Sequence, residues 1–216
     1  ADEAHRRCIA KLMQAFQRDE VRLVSPTFDD AQNLDQDGQV LVGPFLKAEY
    51  HWWDDTGGTR IPVGNGRYVQ PDICGRSTNR AAFWHQSEAP AVIIEVVQTH
   101  FPERETLFEL LHLSELNFLV FLYFIAPGRT GTKYSRIDVK EPGRAAIRMA
   151  HYFSNRQLFE NGEPWGRPAP HALKDYEEWH AFMDTTFLNR VMTKKNEPPV
   201  SKAPSNEPGS EPKGKG

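Results

Sequence analysis

The fold is decided by residues 90–125, which read PAVIIEVVQTHFPERETLFELLHLSELNFLVFLYFI. Residues 92–97 are an apolar, mostly β-branched run, which is typical of a strand buried on both faces of a sheet. Pro102 suits the first turn of a helix, and leucines at helical spacing from Leu107 give that helix an apolar stripe. Residues 118–125 are a second apolar run. Together they predict a right-handed βαβ crossover whose strands are parallel neighbours at the centre of the sheet.

One charged residue, Glu95, interrupts the first apolar run. A carboxylate in a buried strand costs several kcal/mol unless it is paired, protonated or bound to a metal ion. Its position therefore needs a chemical reason, and that reason is the main indication of function.

The chain has 216 residues, of which 39% are hydrophobic, so it can bury one full core. We expect residues 1–195 to form a single α/β domain with a mixed central sheet and flanking helices. Residues 196–216 are rich in Pro, Ser, Glu and Lys and contain no aromatic residue, which predicts a disordered tail.

The charge balance is nearly even, with 26 basic and 29 acidic residues and a formal net charge of −3. This argues against binding nucleic acid through net charge alone, but it leaves room for a local basic groove. The longest apolar run is too short to span a bilayer, so we expect a soluble protein without a membrane partner. Two distant cysteines, Cys8 and Cys74, favour a reducing, cytoplasmic setting.

Further elements follow from the same patterns. They are a helix over 1–17, a strand over 21–25, a strand or hairpin over 39–54, strands over 61–63, 67–74 and 83–85, a packed loop over 152–170, and a helix over 174–193. Residues 33–38 imitate the start of a calcium-binding loop, but Pro44 stands where a bidentate glutamate is required. A turn at Asp37-Gly38 is therefore favoured over a calcium site.

A second carboxylate is expected close to Glu95. Asp72 follows Gln70-Pro71 and stands at the end of a strand that precedes the Glu95 strand. If the two strands are neighbours, both carboxylates can reach one divalent cation, and hard oxygen ligands suit Mg²⁺ or Mn²⁺.

These residues resemble a known family. Pro71-Asp72, then Glu95 in an apolar strand, a helix and another buried strand resemble the PD-(D/E)xK nuclease pattern, most closely its competence-protein CoiA-like branch. The branch also has an early helix with a Glu-x-His element, which Glu3-Ala4-His5 matches. The resemblance covers about residues 1–125. It implies a restriction-endonuclease-like fold and metal-dependent hydrolysis of phosphodiester bonds in DNA or RNA, with Glu3 as a further ligand or base.

The sequence departs from this pattern at Val97, where the family has a lysine or, in some relatives, a glutamine. Valine cannot orient water or stabilise a charge. Gln98 is one residue late and should face the other side of the strand unless a bulge re-aims it. His100 could reach the site from beyond the strand, and Lys47 could supply a positive charge from another strand. If none of these serves, the domain is a degenerate nuclease that binds nucleic acid or a protein without cutting.

A basic segment follows the second apolar run. It could line a phosphate-binding groove or be the solvated face of a hairpin, and its cations are Arg129, Lys133, Arg136, Lys140, Arg144 and Arg148, of which we name the first five as candidate nucleic-acid contacts. The sequence has no GxSxG element, P-loop or dinucleotide-binding glycine motif, so those enzyme classes lack support.

Overall fold

The computed structural model describes residues 3–18, 20–24, 40–45, 50–57, 60–78 and 90–192. Within these residues the protein is a mixed α/β structure with three helices and thirteen strands. The helices are α1 (Glu3–Arg18), α2 (Arg104–Ser114) and α3 (Leu173–Met192). The strands are β1 (Glu20–Val24), β2 (Val40–Phe45), β3 (Tyr50–Asp54), β4 (Ile61–Gly64), β5 (Arg67–Val69), β6 (Ile73–Ser77), β7 (Ala91–Val97), β8 (Phe118–Phe124), β9 (Ser135–Glu141), β10 (Arg144–Met149), β11 (His151–Ser154), β12 (Gln157–Glu160) and β13 (Glu163–Pro164).

A seven-stranded mixed sheet organises the molecule, in the order β13-β12-β11-β8-β7-β6-β3. Its centre is the parallel pair of β7 and β8, in which Glu95 lies opposite Leu122. The connection between these strands is α2, so the predicted parallel βαβ unit is confirmed. A four-stranded sheet in the order β2-β1-β10-β9 and a two-stranded hairpin of β4 and β5 complete the structure.

Each face of the large sheet has its own hydrophobic core. Alternation along β7 sends Ile93 and Val97 to the face covered by α2 and α3. The intervening residues Val92, Ile94 and Val96 point to the other face, which is covered by α1 and the four-stranded sheet. Since β7 is buried on both faces, its sequence is almost wholly apolar.

Helix α1 is fixed on its face by an aromatic contact. The Phe16 ring stacks on Trp52 of β3, with ring centroids 3.6 Å apart. Trp52 in turn lies across Gly75, its partner in the β3–β6 pair. Only a residue without a side chain leaves room for the indole there, so Gly75 allows the close approach that seats α1.

One prediction of local structure was wrong. Residues 152–170 are not a packed loop, because β11, β12 and β13 form there through two tight turns. These turns are Asn155-Arg156 and Asn161-Gly162, and all four residues have positive φ, as a type I′ hairpin turn requires. The prediction of a strand or hairpin over residues 39–54 is confirmed as strand, since β2 and β3 form there and join the four-stranded and the seven-stranded sheet respectively.

Several sequence predictions fall outside the described residues. They are the acidic loop and turn before Gly38, Lys47, the strand at 83–85 and the tail at 196–216. Cys8 and Cys74 are both free thiols in buried positions. In the part of the chain that the structure describes, no helix has the length and apolar character needed to cross a membrane.

We predict that Gly75→Ala destabilises the protein. A methyl group at this position would overlap the Trp52 ring, and overpacking of this kind costs about 1–3 kcal/mol. The measurement is the urea midpoint of unfolding. If the ring is the cause, Gly75→Ala should cost clearly less in a Trp52→Leu background than in the wild type. Equal costs in both backgrounds would contradict the explanation.

Candidate functional site

A pocket of about 410 Å³ opens where β7 ends. It is built by three parts of the chain, namely α1, the residue that precedes β6, and the end of β7 with the segment after it. Its lining residues are His5, Asp72, Glu95, Val96, Val97, Gln98, Thr99, His100 and Pro102. The two carboxylates predicted from the sequence are therefore both in the pocket.

Asp72 joins the three parts together. Its Oδ2 accepts a hydrogen bond from the Val96 backbone amide at 2.7 Å and lies 3.2 Å from Nε2 of His5. The hydrogen bond with Asp72 raises the pKa of His5, against the opposing effect of burial. His5 is thereby favoured in its charged form, as the cationic partner of Asp72.

Glu95 faces a different environment. Its Oε1 is buried and has no hydrogen-bond partner. Burial raises the pKa of Glu95 well above its ordinary value, and the nearby Asp72 charge raises it further. A hydrogen bond from the Asp72 backbone lowers the pKa, but it does not cancel these two effects. Glu95 therefore resists ionisation in this pocket, and a cation bound beside it would oppose that effect.

The register of β6 and β7 explains why the two carboxyls meet. Ile73 pairs with Ile94, so Asp72 immediately precedes this pair on one strand and Glu95 immediately follows it on the other. Both residues are consequently at the same end of the same strand pair. The prediction that the two strands are neighbours is confirmed.

The remaining predicted site residues divide into two groups. Gln98 and His100 line the pocket rim, where His100 Nδ1 lies 3.1 Å from the Thr99 hydroxyl. Glu3 is exposed and does not line the pocket, whereas His5, two residues later, does. The helical spacing indicates that His5 faces the sheet, since His5, Cys8 and Leu12 lie on one face of α1 and the latter two are buried.

Val97 packs into the apolar core beneath the pocket and is 3% exposed. The position expected for a lysine is therefore occupied by a core side chain. Among the described residues that line the pocket, none is a lysine or an arginine. Lys47, the alternative source of charge, lies outside the described residues.

The predicted nucleic-acid residues lie away from the pocket lining. Lys133 places its ammonium 4.9 Å from the Tyr134 ring, and Arg136 forms an ion pair with Asp138 at 2.7 Å. Lys140 belongs to β9, but its side chain is outside the described part of the structure, and Arg144 is exposed at the start of β10.

Arg129, by contrast, lies beside α1. Arg7 donates a hydrogen bond to the Gly128 carbonyl, and Lys11 donates one to the Thr130 hydroxyl. The loop on either side of Arg129 is therefore fastened to the helix that carries His5 into the pocket. We call Arg7, Lys11 and Arg129 the cationic ledge. Sequence reasoning missed the two helix residues because their contact with the loop spans about half of the chain.

The two carboxyls and His5 determine what the site can bind. In the described part of the chain, no group of three or more His, Cys, Asp or Glu side chains is arranged to enclose a metal ion. Mg²⁺, however, keeps several of its waters and is commonly held by one or two carboxylates together with substrate phosphates. The unpartnered Glu95 Oε1 beside Asp72 fits this mode of binding.

We predict that Glu95→Gln stabilises the metal-free protein at neutral pH. Folding raises the pKa of Glu95, so the folded state binds more protons than the unfolded state above the ordinary pKa of 4.5. Wild-type stability must then fall as the pH rises through this window, and glutamine removes the effect. We expect a gain of about 1–3 kcal/mol in the free energy of unfolding at neutral pH.

The measurement is urea unfolding in EDTA over a range of pH. The gain should shrink as the pH falls to the ordinary pKa of glutamic acid. Glu178→Gln, an exposed change of the same kind on α3, serves as the matched control and should show no such gain. A Glu95→Gln variant no more stable than this control at neutral pH would contradict the assignment.

No family model, curated protein or solved structure matches this chain. The resemblance to PD-(D/E)xK nucleases therefore stays a prediction from the residues that carry it.

Proposed function

We propose that this protein is a nuclease-like hydrolase that uses Mg²⁺ or Mn²⁺ to cleave phosphodiester bonds of DNA or RNA. One observation carries the proposal, namely a buried glutamate oxygen without a hydrogen-bond partner, held beside a second carboxylate at an open pocket. Such an arrangement is costly in the absence of a cation and favourable in its presence.

The chain order of the elements supports a restriction-endonuclease-like fold as part of this proposal. Strands β3, β6 and β7 are adjacent antiparallel strands in the large sheet, with the β4–β5 hairpin inserted between β3 and β6 in the chain; α2 follows β7, and β8 lies parallel to β7. Asp72 stands at the start of the second of these strands and Glu95 stands inside the third. This is the order that the resemblance implies for the acidic residues, the helix and the last strand.

Asp72 and Glu95 would hold the cation in this proposal. A bound Mg²⁺ or Mn²⁺ lowers the pKa of an attacking water and offsets the charge that develops on a scissile phosphate. Glu95 must lose its proton to serve as a ligand, so the affinity for the cation should rise with pH. Asp72 is already held in place by the Val96 amide, which reduces the cost of ordering it.

The other polar groups of the pocket have separate roles. His5 Nε2 lies 3.2 Å from Asp72 Oδ2, and this contact, which raises the pKa of His5, would hold the Asp72 side chain in the orientation that faces the cation. Gln98 and His100 stand at the rim, where a phosphate oxygen or its attacking water would enter. These rim groups are the described candidates for the positioning work that lysine performs in the family pattern.

A second function has a specific observation in its favour. Val97 replaces the expected lysine, and the described pocket lining contains neither lysine nor arginine. A domain of this kind that keeps the fold without the lysine would bind nucleic acid or a protein without cutting it. The two functions share the binding surface and differ only in catalysis.

The cationic ledge supports nucleic acid as the partner in either case. Arg7, Lys11 and Arg129 are exposed, and α1 connects them to the pocket through His5. Phosphate groups along a strand could therefore contact the ledge while one of them enters the pocket. The two free cysteines agree with the reducing, cytoplasmic setting that we include in the proposal.

We predict metal-dependent cleavage that requires both carboxylates. Purified protein should degrade a labelled DNA or RNA in Mg²⁺ or Mn²⁺ and should not do so in EDTA. Glu95→Gln and Asp72→Asn should each lower the rate by roughly 100-fold or more, because each removes a charge that the cation and the reacting phosphate require.

The control for this assay is Glu178→Gln, purified in the same way, which should cleave at the wild-type rate. Residual activity equal in all preparations would identify a contaminating nuclease and contradict the roles of Asp72 and Glu95. Tight binding of nucleic acid without cleavage under any divalent cation would select the binding module.

We predict that the double variant Arg7→Ala/Lys11→Ala binds nucleic acid more weakly. Removing one cation that touches a phosphate should reduce the slope of log affinity against log salt by about one, so the pair should reduce it by about two. Anisotropy titrations in EDTA measure both quantities. The matched control is Arg167→Ala/Lys174→Ala, which removes two exposed cations near α3. An equal effect from the control would show that only net charge matters.

A further inference from the structure

The hairpin of β4 and β5 presents an aromatic side chain to solvent. Ile61 and Val69 anchor the hairpin in the core, each 3% exposed, whereas Tyr68 is 50% exposed. The guanidinium of Arg60 lies 4.4 Å from the centroid of the Tyr68 ring. Arg67, the neighbour of Tyr68, is tied to Glu109 on α2 by an ion pair. The tyrosine is therefore exposed on a rigid support, with a cation beside it.

The hairpin leads directly into the pocket. Only Val69, Gln70 and Pro71 separate Tyr68 from Asp72, so their Cα atoms are at most about 14 Å apart. Gln70 also donates a hydrogen bond to the Asp55 carbonyl, and Asp55 donates one to the carbonyl of Asp72. These bonds fix the connection, so the position of the hairpin relative to the pocket is defined.

The hairpin and the cationic ledge lie on opposite faces of the large sheet. Ile61 and Val69 belong to the core on the side of α2, and α1 covers the other side. The pocket is lined by His5 of α1, the helix that carries Arg7 and Lys11, and by Pro102 in the segment that leads to α2. A strand that leaves the pocket towards the hairpin would pass close to Tyr68, and one that leaves it along α1 would pass the ledge.

We propose that Tyr68 is a stacking platform for an unpaired base, so that the site selects nucleic acid with a single-stranded segment beside the phosphate in the pocket. This inference rests on the proposed function and names its substrate class. An aromatic ring gains about 1–3 kcal/mol from stacking on a base, and the gain requires a base whose face is free. Bases inside a duplex are already stacked on their neighbours. Arg60 would add a contact to the adjoining phosphate and support the ring.

The test compares single-stranded and duplex DNA of equal length by fluorescence anisotropy in EDTA. Tyr68→Ala should weaken binding of a labelled oligothymidylate by roughly 5- to 160-fold, the range that corresponds to the stacking gain. The affinity for the duplex should change by less than about twofold. Tyr68→Phe keeps the ring and should bind like the wild type. Phe182→Ala, a change at another exposed aromatic residue, should leave both affinities unchanged.

A second probe examines the wild-type protein itself. An abasic oligonucleotide keeps the phosphates and offers no base, so wild type should bind it as weakly as Tyr68→Ala binds oligothymidylate. Equal losses on single-stranded and duplex DNA, a loss in Tyr68→Phe as large as in Tyr68→Ala, or full affinity for the abasic strand would each overturn the proposal. Because the binding assay contains no divalent cation, its result is separate from that of the cleavage assay. Cleavage without an effect of Tyr68 rejects the platform alone, and a Tyr68 effect without cleavage rejects the hydrolase alone.

Discussion

The hydrogen bond from the Val96 amide to Asp72 Oδ2 is the interaction on which the site depends. It attaches the residue before β6 to the end of β7, and the same oxygen faces His5 of α1. Packing away from the pocket fixes both partners. Val96 belongs to β7, which is buried between two cores, and His5 belongs to α1, whose Phe16 stacks on Trp52. The position of the Asp72 carboxylate therefore depends on how β7 and α1 are packed. Its charge then reaches Glu95 and helps to keep that carboxyl protonated in the metal-free protein.

The sequence was most informative where burial is greatest. The two apolar runs and the helix between them predicted β7, α2 and β8, because a strand buried on both faces permits few residue types. The closeness of Asp72 and Glu95 followed from their positions at strand ends. The choice of His5 over Glu3 did not follow as readily, since both belong to the same short element. Only the phase of the buried stripe on α1 distinguishes them.

The errors have local and long-range causes. In residues 152–170 the aromatic and polar composition obscured two hairpin turns that depend on positive φ at four positions. The sequence left open whether residues 39–54 form a hairpin, because strand propensity does not determine which sheet a strand joins. In the structure β2 and β3 belong to different sheets. The ledge depends on contacts between residues more than a hundred positions apart, such as Lys11 and Thr130. The basic segment in the sequence contributes only Arg129 to the ledge, because Arg7 and Lys11 come from α1. Arg136, another cation of that segment, forms an ion pair with Asp138.

Val97 stands where the resemblance predicts a lysine, which argues against catalysis, whereas Glu95 stands where it predicts an acidic ligand, which argues for it. The two side chains also contribute differently to the free energy of folding. Valine in the core contributes favourable burial whatever the domain does. A buried carboxyl oxygen without a hydrogen-bond partner, in contrast, costs free energy, and a surface that only binds phosphates gains nothing from a second acidic group in its pocket. A positively charged ligand that both carboxylates can reach converts this cost into binding energy. The physical case for a divalent cation therefore rests on Glu95 itself. In the proposed function, Val97 would limit how fast a bound phosphodiester is cleaved, but it would not remove the reason for binding a cation.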